Sequence, residues 1–128
     1  MPVTSSASSV KRWPSAETVI TSAQQWATRL TERDPAVIAV GCFGSYARGD
    51  AGFGSDLDLV IIRDRDLGEL DRRLAAVETL PVPADVLVYD PEEWLSLQAR
   101  DSRMARVLAS ETRWLTGDPP RAAAPATR

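Results

Sequence analysis

Apolar side chains recur at three- and four-residue spacing from Ala16 through Val19, Ile20, Ala23, Trp26, Ala27 and Leu30. That spacing is one face of an amphipathic helix, with Ser15 as its N-cap after Pro14 and Pro35 closing the unit. The period then changes. Residues 36–43, AVIAVGCF, are a continuous apolar run rich in β-branched side chains, which predicts a strand buried on both faces. Residues 44–49, GSYARG, read as a turn opening a short helix, and residues 50–55, DAGFGS, as a glycine-rich loop. Residues 56–62, DLDLVII, form a second predicted strand. A helix is expected over residues 67–78, with Leu67, Leu70, Leu74 and Val77 as its buried stripe and Asp66 and Glu69 at capping-box spacing. Pro81 and Pro83 mark a loop before a third strand at residues 85–89, DVLVY. Asp90-Pro91-Glu92-Glu93 is a strong helix start, with an N-cap, a proline at the first helical position and acids in the first turn. That helix is expected to reach about residue 109, and residues 113–115 a last short strand. Alternating helices and strands predict an α/β or α+β domain with helices packed on one central sheet.

The length of 128 residues fits one domain. Residues 1–12 and 117–128 lack periodicity and read as disordered tails around a domain at 13–116. A net charge of −3 offers no basic footprint, so no nucleic-acid partner is expected. No apolar stretch reaches the length of a membrane span and the serine-rich N-terminus lacks an apolar core, so the expected location is cytoplasmic with no membrane partner. The lone Cys42 reads as a buried thiol. Histidine is absent, which removes imidazole bases, catalytic triads and histidine-ligated zinc. Chemistry by this chain therefore falls to carboxylates and a hard cation.

Asp56 and Asp58 stand two apart in a predicted strand, so both carboxylates share a face, with Cα atoms about 6.5–7 Å apart. Leu57, Leu59 and Ile61 point the other way. Neighbouring ionised carboxylates repel unless a cation sits between them, and their oxygens suit magnesium or manganese. Acids at a strand start also simply face water, and spacing alone leaves both readings open. Upstream, Gly44 permits a tight bend and Ser45 opens a helix whose first N–H groups lack partners, a geometry that cradles phosphate. An ordinary strand-to-helix turn has the same composition. Arg48, one turn on, is placed to meet a phosphate or to brace the acidic strand. Trp13, Trp26, Trp94 and Trp114 read as core or interface packing, while Tyr46 and Phe53 lie close to the acidic segment.

Gly44-Ser45, ten residues, then Asp56-Leu57-Asp58, within the string GSYARGDAGFGSDLDLVI, resembles the signature of the DNA polymerase β-like nucleotidyltransferase superfamily and its minimal branch. The likeness spans roughly residues 36–89. It implies the small nucleotidyltransferase fold, a mixed central sheet with helices packed on it. It implies metal ligands and catalytic acids at Asp56, Asp58 and a third acid, for which Asp85 on the next strand is preferred to Asp90. Gly44, Ser45, Arg48 and Ser55 would contact the nucleotide. The implied cofactor is Mg2+ or Mn2+, with ATP or another nucleoside triphosphate as donor. By the same resemblance, a nucleoside monophosphate would pass to an acceptor hydroxyl on a partner, a HEPN-type toxin being the first candidate. A chain this short needs a partner, a homo-oligomer or a surface groove to choose its acceptor. Two alternatives stay open: a non-catalytic antitoxin that neutralises by binding, and a small-molecule nucleotidyltransferase of the aminoglycoside-modifying kind.

Overall fold

The computed structural model describes residues 13–121. The tails expected at residues 1–12 and beyond 121 lie outside the described residues. Helix α1 (Ala16–Arg33) starts at the Ser15 cap, whose hydroxyl oxygen accepts the Thr18 N–H at 3.1 Å. It buries the expected stripe from Val19 to Leu30, whereas Ala16, in its first turn, is exposed. There follow β1 (Val37–Phe43), α2 (Ser45–Arg48), β2 (Leu57–Arg63), α3 (Arg72–Ala75), β3 (Ala84–Tyr89), α4 (Pro91–Ala99), α5 (Arg103–Glu111) and β4 (Arg113–Gly117).

The four strands lie in the order β3-β2-β1-β4. β1 is antiparallel to both β2 and β4, while β2 and β3 run parallel, so the sheet is mixed. Period-two alternation along β2 divides the core. Leu57, Leu59 and Ile61 join the α1 face with Val19, Ala23, Trp26 and Leu30. Val60 and Ile62 join Trp94, Leu97, Ala105 and Leu108 beneath α4 and α5. Trp94 packs edge-on against Trp114, ring centroids 5.4 Å apart, which places that pair in packing.

Two expected helices are revised. Residues 67–78 do not form one helix. They break into a single turn at Arg65–Leu67, the four-residue α3 and another single turn at Val77–Thr79. Gly68 takes φ 101° and Ala76 takes φ 43°, both outside the helical region. Asp64 and Asp71 cap these pieces, accepting N–H groups from Asp66 and Arg73, so the Asp66–Glu69 box does not form. The Ala75 carbonyl instead accepts the indole N–H of Trp26 from α1, and Leu67 is exposed. The last long helix is also split. Arg100 is extended and Ser102 recaps the chain by accepting the Ala105 N–H, the competition with helix that serine offers the backbone. The bend lets both Leu97 and Leu108 reach the same side of the sheet. β4 runs to Gly117, which pairs with Ala39, so ordered structure extends past the expected start of the tail.

Candidate active site

β1 ends at Phe43, which pairs with Asp58 across the antiparallel ladder. The chain then turns at Gly44, whose φ of 78° and ψ of −152° belong to backbone space that side chains avoid. A β-carbon here would stand 2.5 Å from the Asp58 Oδ2. Glycine is therefore required twice, by conformation and by the carboxylate lying against it. Ser45 opens α2, half-buried, and Gly49 at φ 85° closes it. Arg48 is exposed and paired with Asp50 at 3.2 Å and Glu111 at 3.1 Å. It braces the loop after α2 and the end of α5, and makes no ion pair with the acidic strand.

The acids are set by sheet register. Asp58 is the second residue of β2, and its partner in the parallel β3 is Asp85. Asp56 comes just before β2, exposed, as is Asp85, while Asp58 is half-buried. Burial pushes the Asp58 carboxyl above the ordinary carboxylate value. The charges of Asp85 and then Asp56 add to the rise, and Arg48 opposes it. The fold thus sets a half-buried carboxyl in register with one acid and two residues from another. Asp90 lies at the other end of β3. Its carboxylate accepts the Glu93 N–H at 2.7 Å, and the Glu93 carboxylate accepts the Asp90 N–H at 2.9 Å, a reciprocal capping box. Asp90 is thereby committed to α4, away from the acid cluster.

Ser55 shapes the loop at residues 50–55 from within. Its hydroxyl oxygen accepts the Gly52 N–H at 2.9 Å, and its own N–H donates to the Gly52 carbonyl at 3.0 Å. Tyr46 is buried and donates its hydroxyl to the Ser55 carbonyl at 3.3 Å. In turn it accepts the Trp13 indole N–H at 3.3 Å. Neither contact was visible in the sequence, because one joins two aromatic side chains and the other an aromatic side chain and a backbone oxygen, with no shared period. Trp13 also leans on Phe53, centroids 5.2 Å apart.

The donor chemistry fits a hard divalent cation: oxygen ligands, like charges in adjacent register, and one carboxyl held above its usual value. The side chains as arranged are not a closed cage. Among the described residues, no three ligating groups converge to hold a cation. A separate cleft of about 440 Å³ lies between the segment at residues 63–79 and β3, lined by Arg63, Arg65, Leu70, Val77, Val86 and Val88 among others. It includes Asp90 but none of the clustered acids.

A four-stranded mixed sheet with a glycine turn after β1 matches the small nucleotidyltransferase fold. The chain belongs to the nucleotidyltransferase domain family, whose model matches residues 24–114. Membership implies a nucleoside triphosphate donor and, as a rule, a divalent metal. Among curated proteins none matches significantly. Among solved structures, one described as a toxin–antitoxin with AMP-PNP is similar at 18% identity, covering 74% of this chain and 73% of that one, with a TM-score of 0.51. A putative nucleotidyltransferase from Sulfolobus solfataricus has 21% identity, covering 81% and 88%, with a TM-score of 0.49. The first likeness supports the fold. Among the described residues no helix is long and apolar enough to cross a membrane.

Proposed function

We propose that the chain transfers AMP from ATP, with Mg2+, to a hydroxyl on a partner protein, the partner being a HEPN-type toxin that it thereby neutralises in the cytoplasm. The observation that carries this reading is Asp58, half-buried, raised in pKa, paired in register with Asp85 and covered by Gly44 where no side chain fits. A turn open only to glycine and like-charge crowding at one point are features that a metal–nucleotide site explains. Asp58 and Asp56 would hold the cation together with Asp85. Bound magnesium would offset charge on the triphosphate and acidify the acceptor hydroxyl. Gly44 keeps the backbone open for close approach, and Ser45 with the first N–H groups of α2 would orient the phosphates. Catalysis is then mainly positioning and electrostatic stabilisation. The protein acceptor is supported by the resemblance to the minimal branch and by a structural relative described as a toxin–antitoxin.

A second reading has one observation in its favour. The ligating side chains do not converge among the described residues, as expected of an antitoxin that binds its partner without chemistry. Labelled ATP, Mg2+ and the partner separate the two. Transfer of label by the wild type and its loss in Asp58→Ala support the enzyme. Neutralisation of the partner without any transfer sinks it.

A further inference from the structure

The family match begins at residue 24, yet Trp13, well before it, reaches the loop that leads into the acids. Three groups meet there. The Trp13 indole N–H donates to the Tyr46 hydroxyl, and that hydroxyl donates to the Ser55 carbonyl, both at 3.3 Å. The Trp13 ring lies against Phe53 at the tip of the loop, a side chain otherwise 78% exposed. Tyr46 itself is 3% exposed and sits in the main core cluster, so its hydroxyl is a fixed point. Ser55 in turn closes the loop on Gly52 through its hydroxyl and its N–H. Asp56 is the next residue, and Asp58 follows at the start of β2.

Residues 50–55 contain two glycines and no helix or strand, so holding them in one conformation costs much backbone entropy. Hydrogen bonds anchored on a buried hydroxyl are a means of meeting that cost, and they act at the residue before an acid whose placement matters to a fraction of an ångström. We propose that Trp13 and Tyr46 are positioning residues, a clasp that fixes the loop at residues 50–55 and so aims Asp56 at the site of Asp58 and Asp85; the proposal rests on the nucleotidyltransferase reading. Neither residue touches the reacting atoms. The clasp works through Ser55.

Two variants test it. Tyr46→Phe keeps the buried ring and removes the hydroxyl, and Trp13→Phe keeps an aromatic ring against Phe53 and removes the indole N–H. Backbone 15N order parameters are read on the free protein. At Gly52 and Ser55 they should fall from about 0.85, typical of rigid backbone, to below about 0.6 in Tyr46→Phe, with β1 and β2 unchanged. Affinity for Mn2+ alone should weaken about fivefold, the scale of one lost hydrogen bond, and transfer should slow about tenfold. The double variant should be no worse than Tyr46→Phe, since both changes cut one chain of contacts. Order parameters that stay at the wild-type level in both variants overturn the clasp. A loosened loop with unchanged Mn2+ affinity and unchanged transfer overturns its positioning role. If the wild type itself neither binds Mn2+ nor transfers nucleotide, the enzymatic reading has failed, and the positioning role fails with it. The order parameters then judge the mechanical clasp alone.

Discussion

Strand β2 begins at a carboxylate crowded by like charges and ends at a guanidinium locked to its counter-ion. At the far end, Arg63 and Asp34 are both buried, with side-chain exposures of 8% and 6%. They meet through two hydrogen bonds, at 2.7 and 3.3 Å, the forked geometry that arginine favours. Arg63 also donates to the Gly68 carbonyl, tying β2 to the turn after it. At the near end, Asp58 has Asp85 and Asp56 for neighbours and no ion pair. One strand thus carries a satisfied charge where the fold needs closure and an unsatisfied one where the proposed ligand would complete it. The contrast separates two uses of a charged side chain: holding the chain together, and waiting for something from outside.

The comparison is tested most severely at the satisfied end. Asp34→Ala leaves Arg63 buried and unpaired, and should lower the unfolding free energy by about 3–5 kcal/mol in urea titration. A loss under about 1 kcal/mol would mean that Arg63 escapes to water and that the pair is ornamental to stability. At the opposite end, Gly44→Ala puts a methyl group against Asp58 and forces alanine into backbone space that costs about 1–3 kcal/mol. It should reduce nucleotidyl transfer at least tenfold, a larger relative loss than its stability change alone produces, as judged by activity assays at a temperature where the variant is fully folded.

The smallest effect has the opposite sign. The Asp58 carboxyl titrates higher in the folded chain than in the unfolded one. Its contribution is fully present below the unfolded value and is lost as pH rises through the folded value. Asp58→Asn should therefore be modestly more stable than the wild type above the carboxylate range in metal-free buffer. The gap should vanish in acid, and divalent cation should narrow it by stabilising the wild type alone. Thermal melts across pH, with and without Mg2+, read this directly. A variant less stable than the wild type at neutral pH would show that Asp58 is satisfied after all.

Much of this frame is local and so was legible from residue order. The α1 stripe, the phase of Leu57, Leu59 and Ile61 opposite Asp58, and the Asp90–Glu93 cap each follow from spacings of two to four residues. Residues 67–78 misled because their apolar period is real, while Gly68 and the Trp26 indole at the Ala75 carbonyl override it. The split at residues 100–102 arises likewise, from a serine that caps the second of two helices sharing one side of the sheet. The placement of Asp85 next to Asp58 depends on a parallel pairing that no short-range pattern encodes; the family resemblance, not the spacing, pointed to it. The Asp34–Arg63 pair and the Trp13–Tyr46 contact left no trace in the pattern, because each joins residues far apart in sequence that meet only in the folded chain.

β1 lies in the middle of the sheet, but its two neighbours come from very different distances along the chain. β2 returns to it after one short excursion, while Ala39 meets Gly117 only when nearly the whole described chain has been traversed. Closing so wide a loop is entropically slow, and contacts of that span govern how fast a domain folds. During synthesis, one edge of β1 therefore waits bare until the last strand is available, an unpaired edge of the kind that can template pairing with another chain.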